Sequence, residues 1–182
     1  PPGQRPAAER DVAVEQVGHG GGQRQRHHVG RQQALPMQRQ DFIELFEINI
    51  DWNTPANSGI TTLPRIGITE FNSWFRNYST FATVPQPTST TSRLDPIREV
   101  LLNQLVYRNM GTHEAIVGTL ATNQDPARTG TVVDSGVRWF ELRRTGSGAW
   151  TLFQEGTFSP GDAETHHLMG TIAMDKFGNM AL

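Results

Sequence analysis

The chain of 182 residues contains no cysteine, and this absence excludes disulfide bonds, thiolate zinc sites and cysteine nucleophiles. Lysine is almost absent as well, because Lys176 is the one lysine beside fifteen arginines. No apolar run approaches the ~18 residues of a transmembrane helix. We therefore predict no membrane span. The chain also lacks an apolar signal segment and begins with proline, so we expect that its natural start, with any export signal, lies upstream.

Apolar residues are scarce too. The hydrophobic fraction is 36%, whereas globular domains are typically ~45–50% apolar with glycine included. Eighteen glycines and eleven prolines indicate many turns. Charge is unevenly divided, since residues 1–40 carry six arginines and three acids, while residues 41–182 carry ten basic and fifteen acidic groups. The acidic balance of the second part argues against a nucleic-acid partner.

Residues 1–40 differ in character from the remainder of the chain. They are rich in Gln, Arg, Gly, Pro and His and contain no aromatic residue. Such a segment buries too little apolar surface to offset the entropy lost on ordering. We predict a disordered arm over residues 1–40, with a weak helix over residues 7–17 as the alternative, and a folded region over residues 41–182.

The folded region begins with a pattern typical of strands. Apolar side chains at 46, 48, 50 and 52 alternate with polar ones, which predicts a half-buried strand. Residues 60–68 predict a short strand that Pro64 and Gly67 interrupt. Residues 70–81 show no clear period. Residues 83–92 are rich in Thr, Ser and Pro and predict an extended loop.

Hairpins dominate the second half of the sequence. Residues 98–107 fit either a helix or a strand, and we favour a hairpin over residues 100–121 that turns at Gly111, because a helix would have to stop abruptly there. Further strands are predicted over 136–143 and 150–158, around Gly146, and over 171–174, before a turn at Gly178. Turns about 30–35 residues apart indicate repeated antiparallel units, as in a propeller or a sandwich. At the last turn, Gly178 is the best candidate for positive φ, followed by Asn179.

Several motifs recur in a characteristic order over the same region. They are LDP (94–96), YRNMGTHEA (107–115), GVRWFELR (136–143), QEGTFSP (154–160), MGTIAMD (169–175) and GN (178–179). The series resembles a family of large, uncharacterised bacterial secreted proteins of the sialidase-like β-propeller type. The resemblance covers about residues 41–182, although the family usually has Arg-Trp where this chain has His167-Leu168. It implies an all-β fold of antiparallel hairpins, a partial β-propeller that is incomplete at its C-terminus, and an extracellular setting, but no reaction.

Three histidine patterns suggest chemistry that the surrounding sequence does not support. HGGG at 19–22 matches an esterase oxyanion element, but no G-x-S-x-G elbow accompanies it. His113 precedes Glu114 as in zinc proteases, but position 117 is valine. His166 and His167 form a metal site only if His113, Asp162 or Glu164 joins them, and no spacing requires this. We predict no metal and no cofactor.

Carboxylates and aromatic residues offer the strongest alternative, which is a glycosidase. A glycosidase needs an acid and a base or nucleophile about 5–9.5 Å apart. Four carboxylates beside strand ends could supply such a pair. These carboxylates are Asp95, Glu114, Glu155 and Asp175. Acids at turns more often cap backbone N–H groups, and we read Asp175 in this way. Six aromatics form either a sugar-stacking surface or, more commonly, the core: Trp52, Trp74, Trp139, Phe140, Trp150 and Phe153.

These observations favour a non-catalytic extracellular module for binding or scaffolding, as a fragment of a larger secreted protein. Its expected partners are glycans or other extracellular proteins. We assign no catalytic, cofactor-binding or metal-ligating residue. The alternative is part of a carbohydrate-active, sialidase-like hydrolase, and it requires that carboxylates converge in one concave pocket.

Overall fold

The computed structural model describes residues 41–75, 80–98, 100–125, 133–160, 162 and 164–182, together with the backbone of residues 9–18. Apart from one short 3₁₀ turn at Pro55–Asn57, the regular structure in these ranges is antiparallel β. None of their helical segments is long and apolar enough to cross a membrane. The strands are β1 (Glu9–Gly18), β2 (Asp41–Ile50), β3 (Gly59–Thr62), β4 (Ile66–Ile68), β5 (Val84–Gln86), β6 (Ser89–Leu94), β7 (Leu101–Asn109), β8 (Glu114–Asn123), β9 (Ser135–Arg144), β10 (Thr151–Phe158), β11 (Ala173–Met174) and β12 (Met180–Ala181).

Strands β7 to β10 form a four-stranded sheet, the central sheet, in which each strand pairs with its neighbour in sequence. The hairpin predicted over residues 100–121 is confirmed, and the helical alternative is wrong. Its turn passes through Gly111 at φ +82°, and the β9–β10 turn passes through Gly146 at φ +55°. Both glycines supply the positive φ that tight hairpin turns need at little steric cost.

Strands β1 to β4 form a second sheet, the N-terminal sheet, built on β2. Strand β1 pairs with one edge of β2, and β3 and β4 follow each other along the opposite edge. The break between them contains Pro64, which has no N–H to give to a ladder, so the interruption predicted at Pro64 is confirmed. The interruption predicted at Gly67 is wrong, because Gly67 lies within β4 and pairs with Phe42. Strand β2 begins earlier than its alternation predicts and buries Ile43 and Leu45, whereas Trp52 lies beyond the strand and is 62% exposed.

Strand β1 corrects the helix considered within the arm. Residues 9–18 pair with β2 from Glu9 opposite Ile50 to Gly18 opposite Phe42, so a helix is wrong for this stretch. The edge of β2 carries N–H and C=O groups that need partners. The run DVAVEQV, with β-branched residues at positions 12, 14 and 17, has the composition to supply them. The remainder of the predicted arm, 1–8 and 19–40, lies outside the described residues.

A second correction concerns residues 83–92, which form most of the β5–β6 hairpin and not a loop. Val84 is fully buried and pairs with Leu94. The turn places Thr88 at φ +63°. Threonine favours strands, and Val84 anchors one end of the segment in a core, which local composition does not show. Val84 packs with Phe75, Ala121 and Val133 in that core.

The central sheet is covered on both faces. Alternate residues of a strand point to opposite faces, so the even-numbered residues of β8 and β9 meet the N-terminal sheet, and the odd-numbered residues meet the β11–β12 hairpin. The first core contains Ile43, Leu45, Ile66, Ile68, Phe71, Ile116, Leu120, Phe140, Leu142 and Trp150. The second contains Ala115, Val117, Ile172 and Met174. The three layers therefore stack in chain order.

The β11–β12 turn has the predicted form. Gly178 adopts φ +87°, whereas Asn179 does not adopt positive φ. The Asp175 carboxylate accepts N–H groups of Phe177 and Asn179 at 2.8 and 2.9 Å, and the Asn179 amide donates to it at 2.8 Å. These hydrogen bonds, with the Asn179 amide foremost, hold the pKa of Asp175 below its usual value. Asp175 is therefore a turn residue, as predicted.

Candidate ligand-binding site

The four carboxylates considered for glycosidase chemistry lie in different surroundings. Asp95 accepts the N–H of Ile97 at 2.8 Å in a local turn, and Asp175 closes the turn described above. Glu114 and Glu155 both lie on the face of the central sheet that meets the N-terminal sheet. Asp175 belongs to the hairpin that covers the other face. Glu114 and Glu155 are therefore the one pair that shares a face.

The register of the central sheet separates Glu114 from Glu155. Glu114 lies opposite Arg144 and Glu155 opposite Phe140, on the two sides of β9. Four residues along a strand correspond to about 13 Å. This separation exceeds the ~5–9.5 Å between the carboxylates of glycosidases. Glu114 and Glu155 therefore do not form an acid–base pair.

Glu155 joins the two sheets instead. It forms an ion pair with Arg138, and its other oxygen accepts the N–H and the hydroxyl of Thr69 at 2.9 and 2.6 Å. Arg138 also donates to the Thr69 carbonyl at 3.1 Å and to the Thr157 hydroxyl at 3.3 Å. These contacts anchor the segment after β4 on the central sheet, so the carboxylate has a structural role.

Glu141 is a buried carboxylate that sequence reasoning missed. It is fully buried and accepts the Arg143 Nε–H at 2.6 Å and the Gln154 amide at 2.7 Å. The Arg143 guanidinium lies 3.3 Å from the centre of the Phe153 ring. Because side chains alternate along a strand, Glu141 and Leu142 point to opposite faces of the sheet. Only the tertiary structure shows that this face is covered at that point.

Glu114 belongs to a chain of polar groups at the turn end of the central sheet, which we define as the end with the Gly111 and Gly146 turns. Tyr107 donates to one oxygen of Glu114 at 2.5 Å, and Arg144 Nε donates to the other at 2.6 Å. The hydrogen bond from Arg144 lowers the pKa of Glu114, although burial opposes it. The hydrogen bond to Glu114 raises the pKa of Tyr107. Both effects favour an ionised Glu114 beside a neutral phenol.

A cleft of about 360 Å³ opens at this turn end, between the two sheets. Its lining includes Glu47 from β2, Leu63 and Pro64 from the break between β3 and β4, and Arg144 with Trp150 from the central sheet. The Arg144 guanidinium lies 4.7 Å from the centre of the Trp150 ring. Trp150 is 5% exposed, and its indole N–H has no acceptor among the described residues. We call this the turn-end cleft.

A second cleft, of about 290 Å³, lies at the opposite end of the same interface. Its lining is mostly polar and includes Glu70, Asn72, Gln124, Asp125, Arg138 and Thr157. Asn123 supports its wall, since its amide nitrogen donates to the Trp74 carbonyl at 2.8 Å and its oxygen accepts the Asp134 N–H at 2.9 Å. Most of its well-defined polar contacts therefore hold neighbouring segments of the chain together.

The histidines lie in separate local environments. His113 contacts the Thr112 hydroxyl at 3.0 Å in the β7–β8 turn. The His167 ring packs edge-on against Phe158, with 5.0 Å between ring centres. Burial lowers the pKa of His166, while Asp134 and Asp162 act in the opposite direction. Across the described ranges, no group of three His, Asp or Glu side chains could hold a metal ion. The HGGG motif lies outside those ranges.

The six aromatics divide between core and surface. Phe140 and Trp150 are buried in the first core, and Trp139 packs against the second. Trp52 and Phe153 are more than half exposed, and Trp74 is partly buried. The core interpretation is therefore right for Trp139, Phe140 and Trp150, and wrong for Trp52 and Phe153.

Comparison of the chain with protein-family models, curated proteins and solved structures finds no match.

Proposed function

We propose that this chain is part of an exported, non-catalytic module that binds or scaffolds extracellular partners, glycans in particular, within a larger secreted β-propeller protein. The observation that carries the proposal is the set of contacts that the four predicted carboxylates make within the chain. Glu114 and Glu155 are held in separate ion pairs with arginines, and Asp95 and Asp175 accept backbone N–H groups in turns. Each has a structural role, and Glu114 and Glu155 lie farther apart than the carboxylates of glycosidases.

The layered architecture supports the propeller part of the proposal. Propeller blades are four-stranded antiparallel sheets, and each blade packs between its neighbours. The central sheet has four strands in up-and-down order, with the N-terminal sheet on one face and the β11–β12 hairpin on the other. A two-layered sandwich, the other architecture that the sequence suggests, would leave one face of each sheet open.

The clefts support the binding part of the proposal. Both lie where the two sheets part, at the two ends of their interface. Small-molecule sites commonly occupy such junctions, and they combine apolar walls with a few oriented polar groups. Of the two, the turn-end cleft is the larger and has the more apolar lining.

The hydrolase alternative requires paired carboxylates, which Glu114 and Glu155 do not form, and it makes a distinct prediction. The full chain is incubated with chromogenic glycosides, a fluorogenic sialoside among them, and separately with insoluble polysaccharides. We expect retention on at least one polysaccharide without release of chromophore. Glycoside cleavage by the wild type that Glu114→Gln or Glu155→Gln abolishes would overturn the proposal.

A further inference from the structure

The chain contains two aspartyl–prolyl peptide bonds, Asp95–Pro96 and Asp125–Pro126. Acid breaks such bonds readily, because the aspartate side chain can attack its own main-chain carbonyl and the departing proline nitrogen is a basic secondary amine. The attack needs the carboxyl group close to the carbonyl carbon, so the local conformation decides whether a folded chain undergoes it. Asp125 is buried, whereas Asp95 is partly exposed to solvent. The two bonds therefore differ in their surroundings.

The Asp95 carboxylate is folded back toward the bond that joins it to Pro96. One of its oxygens accepts the N–H of Ile97 at 2.8 Å. This hydrogen bond closes a ring that runs from the carboxylate through the Asp95–Pro96 peptide bond to the Ile97 nitrogen, as in an Asx turn. The carboxyl group is thus restrained beside the bond that it would attack, and this restraint reduces the entropy cost of the attack.

The second oxygen of the Asp95 carboxylate is available for reaction. Among the described residues, the Ile97 N–H is the hydrogen-bond donor to this side chain, and no cation pairs with it. The charged residues beside it in the described chain, Arg93 and Arg98, donate instead to the backbone carbonyls of Thr83 and Phe75. Because the side chain is partly exposed, solvent protons and water reach it.

The residue that follows the bond adds strain on the same side. Ile97 is β-branched and adopts φ +51°, a conformation that is unfavourable for residues with a Cβ. Pro96 is buried and its ring fixes its own φ, so it offers little freedom to relieve this strain. Breaking the bond would free Ile97 from the Asp95 hydrogen bond and allow its backbone to relax. The strain therefore favours the cleaved state.

We propose that the Asp95–Pro96 bond is a self-cleavage site, which the folded chain breaks in mildly acidic surroundings. The available oxygen of Asp95 attacks its own main-chain carbonyl carbon, the bond to the Pro96 nitrogen breaks, and this nitrogen takes the carboxyl proton. Asp95 is left as a cyclic anhydride, which water opens to two carboxyl groups. The net reaction consumes one water molecule and yields residues 1–95 and 96–182. It is independent of the proposed binding function.

The two products stay together after cleavage. Ile43 and Leu45 of the first product share a buried core with Ile116 and Leu142 of the second. Cleavage therefore opens the connection between β6 and β7 while the N-terminal and central sheets remain packed on each other. Size-exclusion chromatography in native buffer should show one species, which separates into two fragments on a denaturing gel.

The test is incubation of the full chain at about pH 4, close to the ordinary pKa of an aspartate, beside a sample at neutral pH. Near-UV circular dichroism checks that the chain is folded, and mass spectrometry follows both bonds. In the folded chain we expect Asp95–Pro96 to break at least about tenfold faster than Asp125–Pro126, because only its carboxyl group is restrained beside the bond. In denaturing urea the two rates should become similar.

Two variants and a trapping reagent identify the mechanism. Asp95→Asn removes the nucleophile, and Pro96→Ala keeps it but makes the leaving group a primary amine. Each should slow cleavage at least about tenfold, and Pro96→Ala serves if Asp95→Asn does not fold. Asp125→Asn, at the other bond, is the matched control and should leave cleavage after Asp95 unchanged. Added hydroxylamine should capture the anhydride, so that the first product ends in an Asp95 hydroxamate.

Three results overturn the inference. The first is a folded chain in which Asp95–Pro96 breaks no faster than Asp125–Pro126. The second is cleavage of Asp95→Asn and Pro96→Ala at the rate of the wild type. The third is a first product without hydroxamate, or a cleavage rate that rises with protein concentration, since either would assign the cut to another molecule and not to Asp95.

Discussion

Arg138 on β9 and Glu155 on β10 form an ion pair that faces the N-terminal sheet, and both residues also hold Thr69, which follows β4. The two side chains are 9% and 14% exposed. Because Glu155 accepts from Thr69 while Arg138 donates to it, the ion pair joins two sheets that are distant in sequence.

We expect Glu155→Ala to reduce the free energy of unfolding by about 3 kcal/mol, because it leaves Arg138 as a buried charge without its counterion. The control is Glu44→Ala, which breaks an ion pair with Arg65, a side chain that is 62% exposed. That loss should stay below about 1 kcal/mol. Urea unfolding measures both variants. Equal losses in the free energy of unfolding would contradict a buried ion pair that connects the two sheets.

The hydrogen bond from Tyr107 to Glu114 makes stability depend on alkaline pH. The pKa of Tyr107 is raised in the folded chain, chiefly by this hydrogen bond. Its contribution is therefore fully present below the unfolded pKa of about 10 and is lost as pH rises through the folded value. Urea unfolding at increasing alkaline pH should show a loss in the wild type that Tyr107→Phe lacks. An absorbance difference titration of the two proteins should have its midpoint above about pH 10; a midpoint at or below it would contradict the contact.

At acid pH the same cluster changes stability in the opposite direction, because here stability is lost as pH falls. The pKa of Glu114 is lowered, first by Arg144. Its contribution is present above the unfolded value of about 4.3 and is lost as pH falls through the folded value. Glu114→Gln should remove this part of the acid dependence while the alkaline loss becomes smaller. The same urea series, extended to acid pH, measures it, and an unchanged acid limb would argue against the ion pair.

Gly178 should tolerate no β-branched side chain. A Cβ at this position would meet only the Met110 methyl at 3.8 Å, which is an ordinary contact, so the cost comes from the backbone at φ +87°. We expect Gly178→Val to lower stability by about 1–3 kcal/mol. The exposed residue Lys176, changed to alanine, is the control. Thermal melts that coincide for the two variants would show that the turn is not the hairpin described.

Ile97 is a β-branched residue at φ +51°, held by the hydrogen bond from its N–H to Asp95. The left-handed region costs residues with a Cβ about 1–2 kcal/mol. Ile97→Gly and Ile97→Ala both remove a side chain that is 38% exposed, so their difference reports the backbone. The glycine variant should be more stable by about 1 kcal/mol in urea unfolding. An alanine variant of equal or greater stability would refute the strain.

The candidate site shows where local reasoning stops. Sequence reasoning identified Glu114 but not its role, because its partner Arg144 is thirty positions away in sequence and meets it only through the pairing of β8 with β9. Trp150 was named as a core aromatic, which is right, but its place beside a cleft depends on the break at Pro64 in another sheet. Sequence patterns therefore identified these residues one by one but did not predict which of them lie together.

The sequence by itself determined the hairpins of the second half and the role of Asp175 and Gly178. Alternation and turn residues act over a few positions, and a tight turn leaves little choice of conformation. Only the tertiary structure decided that residues 9–18 form a strand on β2, that residues 83–92 fold into a hairpin, and which face of β2 is buried. Those outcomes depend on an edge, a core or a covering layer supplied by distant residues, whose contacts local sequence patterns do not encode.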